Sequence, residues 1–401
     1  MRVVVTGMGI VSPIGLDVPS FWSALLRGAG GIRPITRFST ADYPYTIGGE
    51  IREWALPAAL TAAAPVDLAT QFMLAAAAQA LRQAGLDAAV AAPESGVVLS
   101  TNFGGIVSGE RLLACAHGKG SASGNDFIEY GAQACADHVA RRGQFGGPRM
   151  VLSLSCSSGT AALGYGLDLI RAGRAQVVLT GGYDALSPFV WSGLSALRTM
   201  AKDAVRPFDR HRSGTIFSEG AGALVIEELE HARRRGAPLL AEVLGYGTNN
   251  NAFHMTAPAR EGAGSARVMR LALADAGVAP DDIDHVNAHG TGTKPNDVTE
   301  SQALKAVCGD RAYRIPVTAI KSTTGHMMGA AGSAEAIAAV LTLREGVIPP
   351  TTNLRERDPE CDLDYVFNAP RAAAVTTVLS NSAGIGGCNA AVVLRRMEAL
   401  P

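Results

Sequence analysis

Ten short, dominantly apolar runs rich in Val, Leu or Ile punctuate this 401-residue chain and constrain its fold more than any other feature. Five come early: Val3–Val5, Val97–Leu99, Val151–Leu154, Val177–Leu179 and Ala223–Ile226. Five come late: Leu239–Leu244, His285–Ala288, Ile315–Ile320, Val375–Leu379 and Ala390–Leu394. Their hydrophobicity is continuous rather than alternating, which fits strands buried on both faces of a sheet covered by helices. The stretches between them read as helices. Asp67–Ala84 closes at Gly85, and Ser265–Ala276 closes at Gly277 with Val268, Leu271, Ala272 and Ala276 on one face. Ser333–Leu343 follows a glycine-rich turn. A glycine just past a periodic apolar segment is a helix-stop signal.

The two sets of five flank HARRRGAP, a basic surface connection whose arginines are most simply a solvated helix end. An N-terminal half, 1–236, and a C-terminal half, 237–401, follow, and the expected class is α/β, a duplicated layer structure. Composition then excludes whole classes of function. With 47% hydrophobic and 18% charged residues, the chain can bury a large core. Its 35 basic and 36 acidic side chains leave a net charge of −1, without the basic footprint of a nucleic-acid binder. No uninterrupted apolar stretch reaches the ~18 residues of a membrane helix, and MRVVVTGMGIVSPIG reads as a buried first strand rather than a signal peptide. The six cysteines show no CxxC spacing and suit reduced thiols in a cytoplasm. HExxH, Walker A and GxSxG patterns are absent, so zinc peptidase, P-loop and serine hydrolase readings lose their support.

Three residues stand where chemistry is expected. Cys156, in VLSLSCSSGTAALGYG, follows a strand and opens a helix, where free N–H groups and the helix dipole favour a thiolate. His289, in HVNAHGTGTKPND, follows a later strand in a glycine turn, and His326, in AIKSTTGHMMGAAG, follows the next with glycines on both sides. Groups at the carboxyl ends of parallel strands converge on one crevice. A histidine there can serve a cysteine as base or as donor to an acyl thioester. A fourth strand ends in VLSNSAGIGGCNAAVVL, whose glycines 384, 386 and 387 let backbone N–H groups approach a ligand, opposite the N–H of Cys156.

These segments resemble the elongating-type β-ketoacyl-acyl carrier protein synthases and the ketosynthases of type II polyketide systems. RVVVTGMGIVSPIG, RPFDRHRSGTIFSEGAGALVIEE, NNAFHMTAP and the three segments above match in the family's order, from Arg2 to Leu394. The resemblance implies a thiolase-like duplicated fold, two five-stranded mixed sheets sandwiched between layers of helices. It implies decarboxylative Claisen condensation of a Cys156-bound acyl chain with malonyl-carrier protein. His289 and His326 would bind the malonyl thioester oxygen, and the N–H groups of Cys156 and Ile385 would form the oxyanion hole. Lys321 is similar to the family lysine that supports the histidines, and Glu300 to the glutamate below it, which makes both candidate catalytic residues; a buried ion pair holding two loops is the structural alternative. Thr291 and Thr293 look like the threonines that hold the pantetheine arm, and Thr256 is expected to bind substrate with them. No metal or redox cofactor is implied. The implied partners are an acyl carrier protein and a second subunit, as a homodimer or with a chain-length-factor-like chain.

The sequence departs from the family at two places. NSAGIGG puts Ala383 and Ile385 where elongating synthases have phenylalanines, the second of which gates the acyl pocket. Isoleucine is smaller and stiff at χ1, so a swinging ring cannot gate here. It is similar to modular polyketide ketosynthases, which favours a specialised polyketide or polyene synthase. Housekeeping fatty-acid elongation, a non-condensing acyltransferase and a chain-length-shaping partner subunit are the alternatives. LTAAAPVDLATQ lacks the basic cluster expected for docking an acidic carrier; Arg206, Arg210 and Arg212 are the alternative candidates, with a structural ion-pair loop as the other reading of RPFDRHR.

Overall fold

The computed structural model describes residues 1–61, 65–86 and 94–397. All ten apolar runs contribute to strands, some longer than the run and some, such as Val317–Thr318 within Ile315–Ile320, shorter. In the first half they are β1 (Val3–Val11), β2 (Gly96–Ser100), β3 (Arg149–Leu152), β4 (Val177–Asp184) and β5 (Gly220–Glu228). In the second they are β6 (Ala241–Asn250), β7 (His285–Asn287), β8 (Val317–Thr318), β9 (Thr377–Ala383) and β10 (Cys388–Arg395). The first half runs β1-β5-β4-β2-β3 and the second β6-β10-β9-β7-β8, in the same polarity. In each, two antiparallel pairings are followed by two parallel ones. The duplication is therefore one of topology.

The two sheets are not separate, which corrects the expectation. Val3, Val4 and Val5 also pair antiparallel with Val243, Glu242 and Ala241, making one ten-stranded sheet. The reason is local. β1 is fully apolar at its start and buried on both faces, so both of its edges need partners for their backbone groups.

Helices pack on this sheet and on one another. α1 (Leu68–Ala84) begins at the N-cap Asp67, whose carboxylate accepts from Ala69 N–H, and ends at Gly85 with φ 67°. α2 (Ser158–Arg171) and α5 (Ala331–Glu345) pack on each other and on strands of both halves. Every residue from Ala331 to Leu343 is buried, as expected for a helix that is mostly apolar on every side. α3 (Ala263–Ala276) lies on β6 and β10, and α4 (Lys294–Cys308) lies on α3. Among the described residues, no helix is long and apolar enough to cross a membrane.

Contact between α1 and β1 depends on missing side chains. A Cβ on Gly9 would sit 1.9 Å from the Ala76 carbonyl oxygen, and one on Gly7 2.0 Å from that of Ala80. Backbone cannot yield as a flexible side chain does. Gly9→Ala is expected to destabilise the protein by about 1–3 kcal/mol through overpacking, seen as a lower denaturation midpoint; an unchanged midpoint would contradict this close packing.

Candidate active site

The polypeptide around Cys156 is held under local tension. Ser155 adopts φ +54°, rare for a residue with a Cβ, between the end of β3 and the start of α2. The Ser158 hydroxyl accepts from Leu154 N–H at 2.7 Å and donates to the Ser155 carbonyl at 2.5 Å. The Ser157 hydroxyl donates to the Leu154 carbonyl at 2.7 Å. These bonds fix Cys156 at the rim of the crevice outside the carboxyl ends of the parallel strands, as does the loop after β7 for His289 and that after β8 for His326. The sulfur and one ring nitrogen from each histidine lie within 4.8 Å of one another.

Both imidazoles are locked in one tautomer. His326 has its own N–H on the Ile216 carbonyl and its carbonyl on Ser218 N–H, so the backbone cannot swing. Its Nδ1 accepts the N–H of Met328 at 3.1 Å. An acceptor Nδ1 on a neutral ring leaves the proton on Nε2, and this Nε2 is buried without a partner among the described residues. His289 Nδ1 faces the Lys321 ammonium at 3.2 Å, and an ammonium can only donate. Both rings thus offer an Nε2–H. Burial lowers both far below the ordinary histidine range; Lys321 adds to this for both, and His326 for His289.

Beneath them lies a buried polar layer. Lys321 Nζ donates to the His289 carbonyl at 2.7 Å and to Glu335 Oε1. The ion-pair partner of Lys321 is therefore Glu335, which removes the structural alternative of a Lys321–Glu300 pair. Glu300 instead accepts His289 N–H at 2.7 Å, Gly290 N–H at 2.9 Å and the Asn381 amide at 2.6 Å. It holds the loop that carries the histidine, because backbone amides there have no other acceptor. Burial pushes Glu335 up to about 7, against the pull of the Lys321 charge. Sequence reasoning passed over Glu335, although a lone acid inside the apolar AGSAEAIAAVL was a visible signal. It also passed over Asp184, at the end of β4. That carboxylate accepts from Thr101, Asn102, Phe103 and Gly329, next to the Met328 that fixes His326.

Two further expectations change. A thiolate-favouring site was expected at Cys156, but burial raises the thiol pKa. The Ser155 hydroxyl, the Ile385 N–H, the Lys321 charge and its own N–H pull the other way without overcoming it. α2 starts two residues later, at Ser158, and the cysteine is only 6% exposed. The carrier-docking arginines are mostly internal. Arg206 is buried against Asp203, and Arg212 is buried between Asp358 and Asp297. Arg210 is exposed but paired with Glu356.

Thr256, Thr291, Thr293 and Ile385 do line one cavity with Cys156, His289 and His326. The hydroxyls of Thr291 and Thr293 lie 2.9 Å apart. The Cys–His–His trio has the dimensions of a metal site, but its surroundings are wrong for one. Metal-binding imidazoles donate their second nitrogen to an acceptor. Here both second nitrogens face donors. ¹⁵N NMR of the histidines at pH 6 is expected to find both rings neutral with the proton on Nε2. Charged rings, or protons on Nδ1, would overturn this assignment.

Comparison with known proteins agrees with this geometry. The Beta-ketoacyl synthase N-terminal domain matches residues 1–232, and the Beta-ketoacyl synthase C-terminal domain matches 240–355. The chain is 38% identical to a 3-oxoacyl-[acyl-carrier-protein] synthase 2 of Coxiella burnetii, over 99% of each chain. It is 41% identical to the tetracenomycin polyketide synthase ketoacyl synthase alpha subunit of Streptomyces glaucescens, over 98% of this chain and 97% of that one. Among solved structures, the ishigamide ketosynthase/chain length factor superposes with a TM-score of 0.94 at 38% identity, covering 99% of each chain. A type II polyketide ketosynthase, bound to its hexaketide and in complex with its acyl-carrier protein, gives 0.92 at 32%, again covering 99% of each. With the thiolase-like fold, the Cys–His–His trio and both family domains in place, this chain belongs to the β-ketoacyl synthase family and is a condensing, acyl-transferring ketosynthase.

Proposed function

We propose that this ketosynthase extends acyl chains on an acyl carrier protein in a specialised type II polyketide or polyene pathway. The observation that carries the chemistry is the pair of neutral Nε2–H donors converging beside the Cys156 thiol. Cys156 takes the acyl group from a carrier thioester; the new C–S bond forms as the carrier's thiol leaves with the proton. Malonyl-carrier protein then enters, with its pantetheine arm along Thr256, Thr291 and Thr293. His289 and His326 donate to its thioester oxygen. As the carboxylate departs as CO₂, the electron pair of the broken C–C bond becomes an enolate that these donors stabilise. The enolate carbon attacks the acyl-Cys156 carbonyl, whose oxyanion accepts from the N–H groups of Cys156 and Ile385. Collapse expels the Cys156 thiolate and leaves a β-ketoacyl carrier. Lys321 and Glu300 are positioning residues in this scheme, acting through His289.

Decarboxylation supplies the driving force, so the reaction needs no metal or redox cofactor, in keeping with donor groups behind both histidines. Assembly with a second ketosynthase-fold chain, identical or chain-length-factor-like, is supported by two surface features. Leu113, Phe127, Ile128 and Tyr130 are exposed on the neighbouring helices Ile106–Ala116 and Gly124–Tyr130. β3 closes the sheet with one edge unpaired among the described residues. We place the enzyme in the cytoplasm with its carrier. The specialised pathway rests on Ala383 and Ile385, which leave the turn after β9 without an aromatic gate.

Intact-mass measurement tests the first half-reaction. An acyl-carrier protein is expected to add one acyl mass to the wild type and none to Cys156→Ala, and malonyl-carrier protein should then yield a β-ketoacyl carrier two carbons longer. Loading without extension would favour an acyltransferase instead. For the pathway, Ile385→Phe is expected to shift the preferred acyl length when assayed across a set of acyl carriers. Unchanged selectivity would remove Ile385 from chain selection and favour ordinary fatty-acid elongation.

A further inference from the structure

The cavity is lined by no Lys, Arg, Asp or Glu side chain among the described residues, yet on the proposed function it must admit a malonyl carboxylate. Every other polar group at the reacting centre has a donor waiting. The malonyl thioester oxygen has two Nε2–H groups, and the acyl carbonyl has two backbone N–H groups. The carboxylate has none assigned. Thr215 lines the same cavity, is 3% exposed, and its hydroxyl has no hydrogen-bond partner among the described residues. A buried hydroxyl without a partner is costly, and such groups in native proteins call for an explanation.

Its position suits that partner. The segment Thr215–Ser218 lies alongside the His326 backbone, with His326 N–H on the Ile216 carbonyl and Ser218 N–H on the His326 carbonyl. Thr215 and Phe217 are two apart on this segment, so their side chains share a face. The Phe217 ring packs against the His326 ring with centroids 5.4 Å apart. Thr215 N–H and C=O are spent on Thr199 and Ala201, which leaves only the side chain free. The hydroxyls of Thr291 and Thr293, by contrast, already bond each other.

We infer that the Thr215 hydroxyl orients the malonyl carboxylate for loss, a substrate-contacting role that rests on the ketosynthase reading above. A single neutral donor fixes the carboxylate without the stabilisation that a cation would give. That leaves the reactant poorly solvated and keeps the C–C bond in line with the thioester π system as it breaks.

The test separates the two half-reactions. Thr215→Val keeps the shape and removes the hydroxyl, whereas Thr215→Ser keeps it. Acylation of Cys156 is read by intact mass, and CO₂ release from carboxyl-labelled malonyl-carrier protein is read alongside. Thr215→Val is expected to acylate as the wild type does but to release CO₂ roughly 10- to 100-fold more slowly, because the carboxylate is no longer held with its C–C bond in line with the thioester. Thr215→Ser should restore the rate to within about threefold of the wild type. Wild-type CO₂ release by Thr215→Val would overturn the inference alone. So would equal losses of acylation and decarboxylation, the sign of a merely structural residue. A wild-type enzyme that acylates but releases no CO₂ would overturn the ketosynthase reading and this inference with it.

Discussion

The buried ammonium of Lys321 is the interaction on which the site depends. It is 1% exposed and divides its three protons among Glu335, the His289 carbonyl and His289 Nδ1. Removing such a charge from water costs several kcal/mol, and only a complete set of acceptors makes the arrangement tolerable. That requirement fixes its neighbours. Glu335 must project from α5, so the otherwise apolar central helix carries one carboxylate at this level. Its second oxygen faces Ser382, which in turn bonds Thr160 on α2. The ion pair thus ties the loop after β7 to both central helices and to β9.

Much of this architecture was legible in the sequence. Strands buried on both faces declare themselves by uninterrupted apolar residues, and helices by their stop glycines, so all ten strands and the three helices read from their pattern were placed. Cys156, His289 and His326 were legible too, because each stands beside a small residue in a segment that follows a strand. What stayed hidden was pairing across space. Nothing local to Val3–Val5 announces that it serves two neighbours. Nothing in KSTTGH tells which of two buried glutamates meets the lysine, since that is decided by where α5 passes. RPFDRHR reads either as a docking patch or as a structural ion-pair loop, and the burial of Arg206 and Arg212 beside Asp203, Asp358 and Asp297 decides for the second. The thiol is similar: a helix start suggested a thiolate, but desolvation of a fully enclosed sulfur outweighs the few partial charges available there.

Charge in this protein is kept one layer away from the chemistry. Lys321, Glu335 and Glu300 stand behind the histidines, while the cavity wall is hydroxyl, imidazole, amide and apolar. The arrangement suits a reaction that begins with an anion and passes through another. A cation in the wall would stabilise the malonyl carboxylate in the ground state at least as much as the enolate that follows, and so would not speed the step between them. Neutral Nε2–H donors aimed at the thioester oxygen favour the enolate, because their partner gains charge only as the carboxylate leaves. The buried lysine acts through the ring: by donating to Nδ1, it keeps the His289 proton on the nitrogen that faces substrate. The charge that could not be tolerated in the cavity is what holds the neutral donor in place beside it.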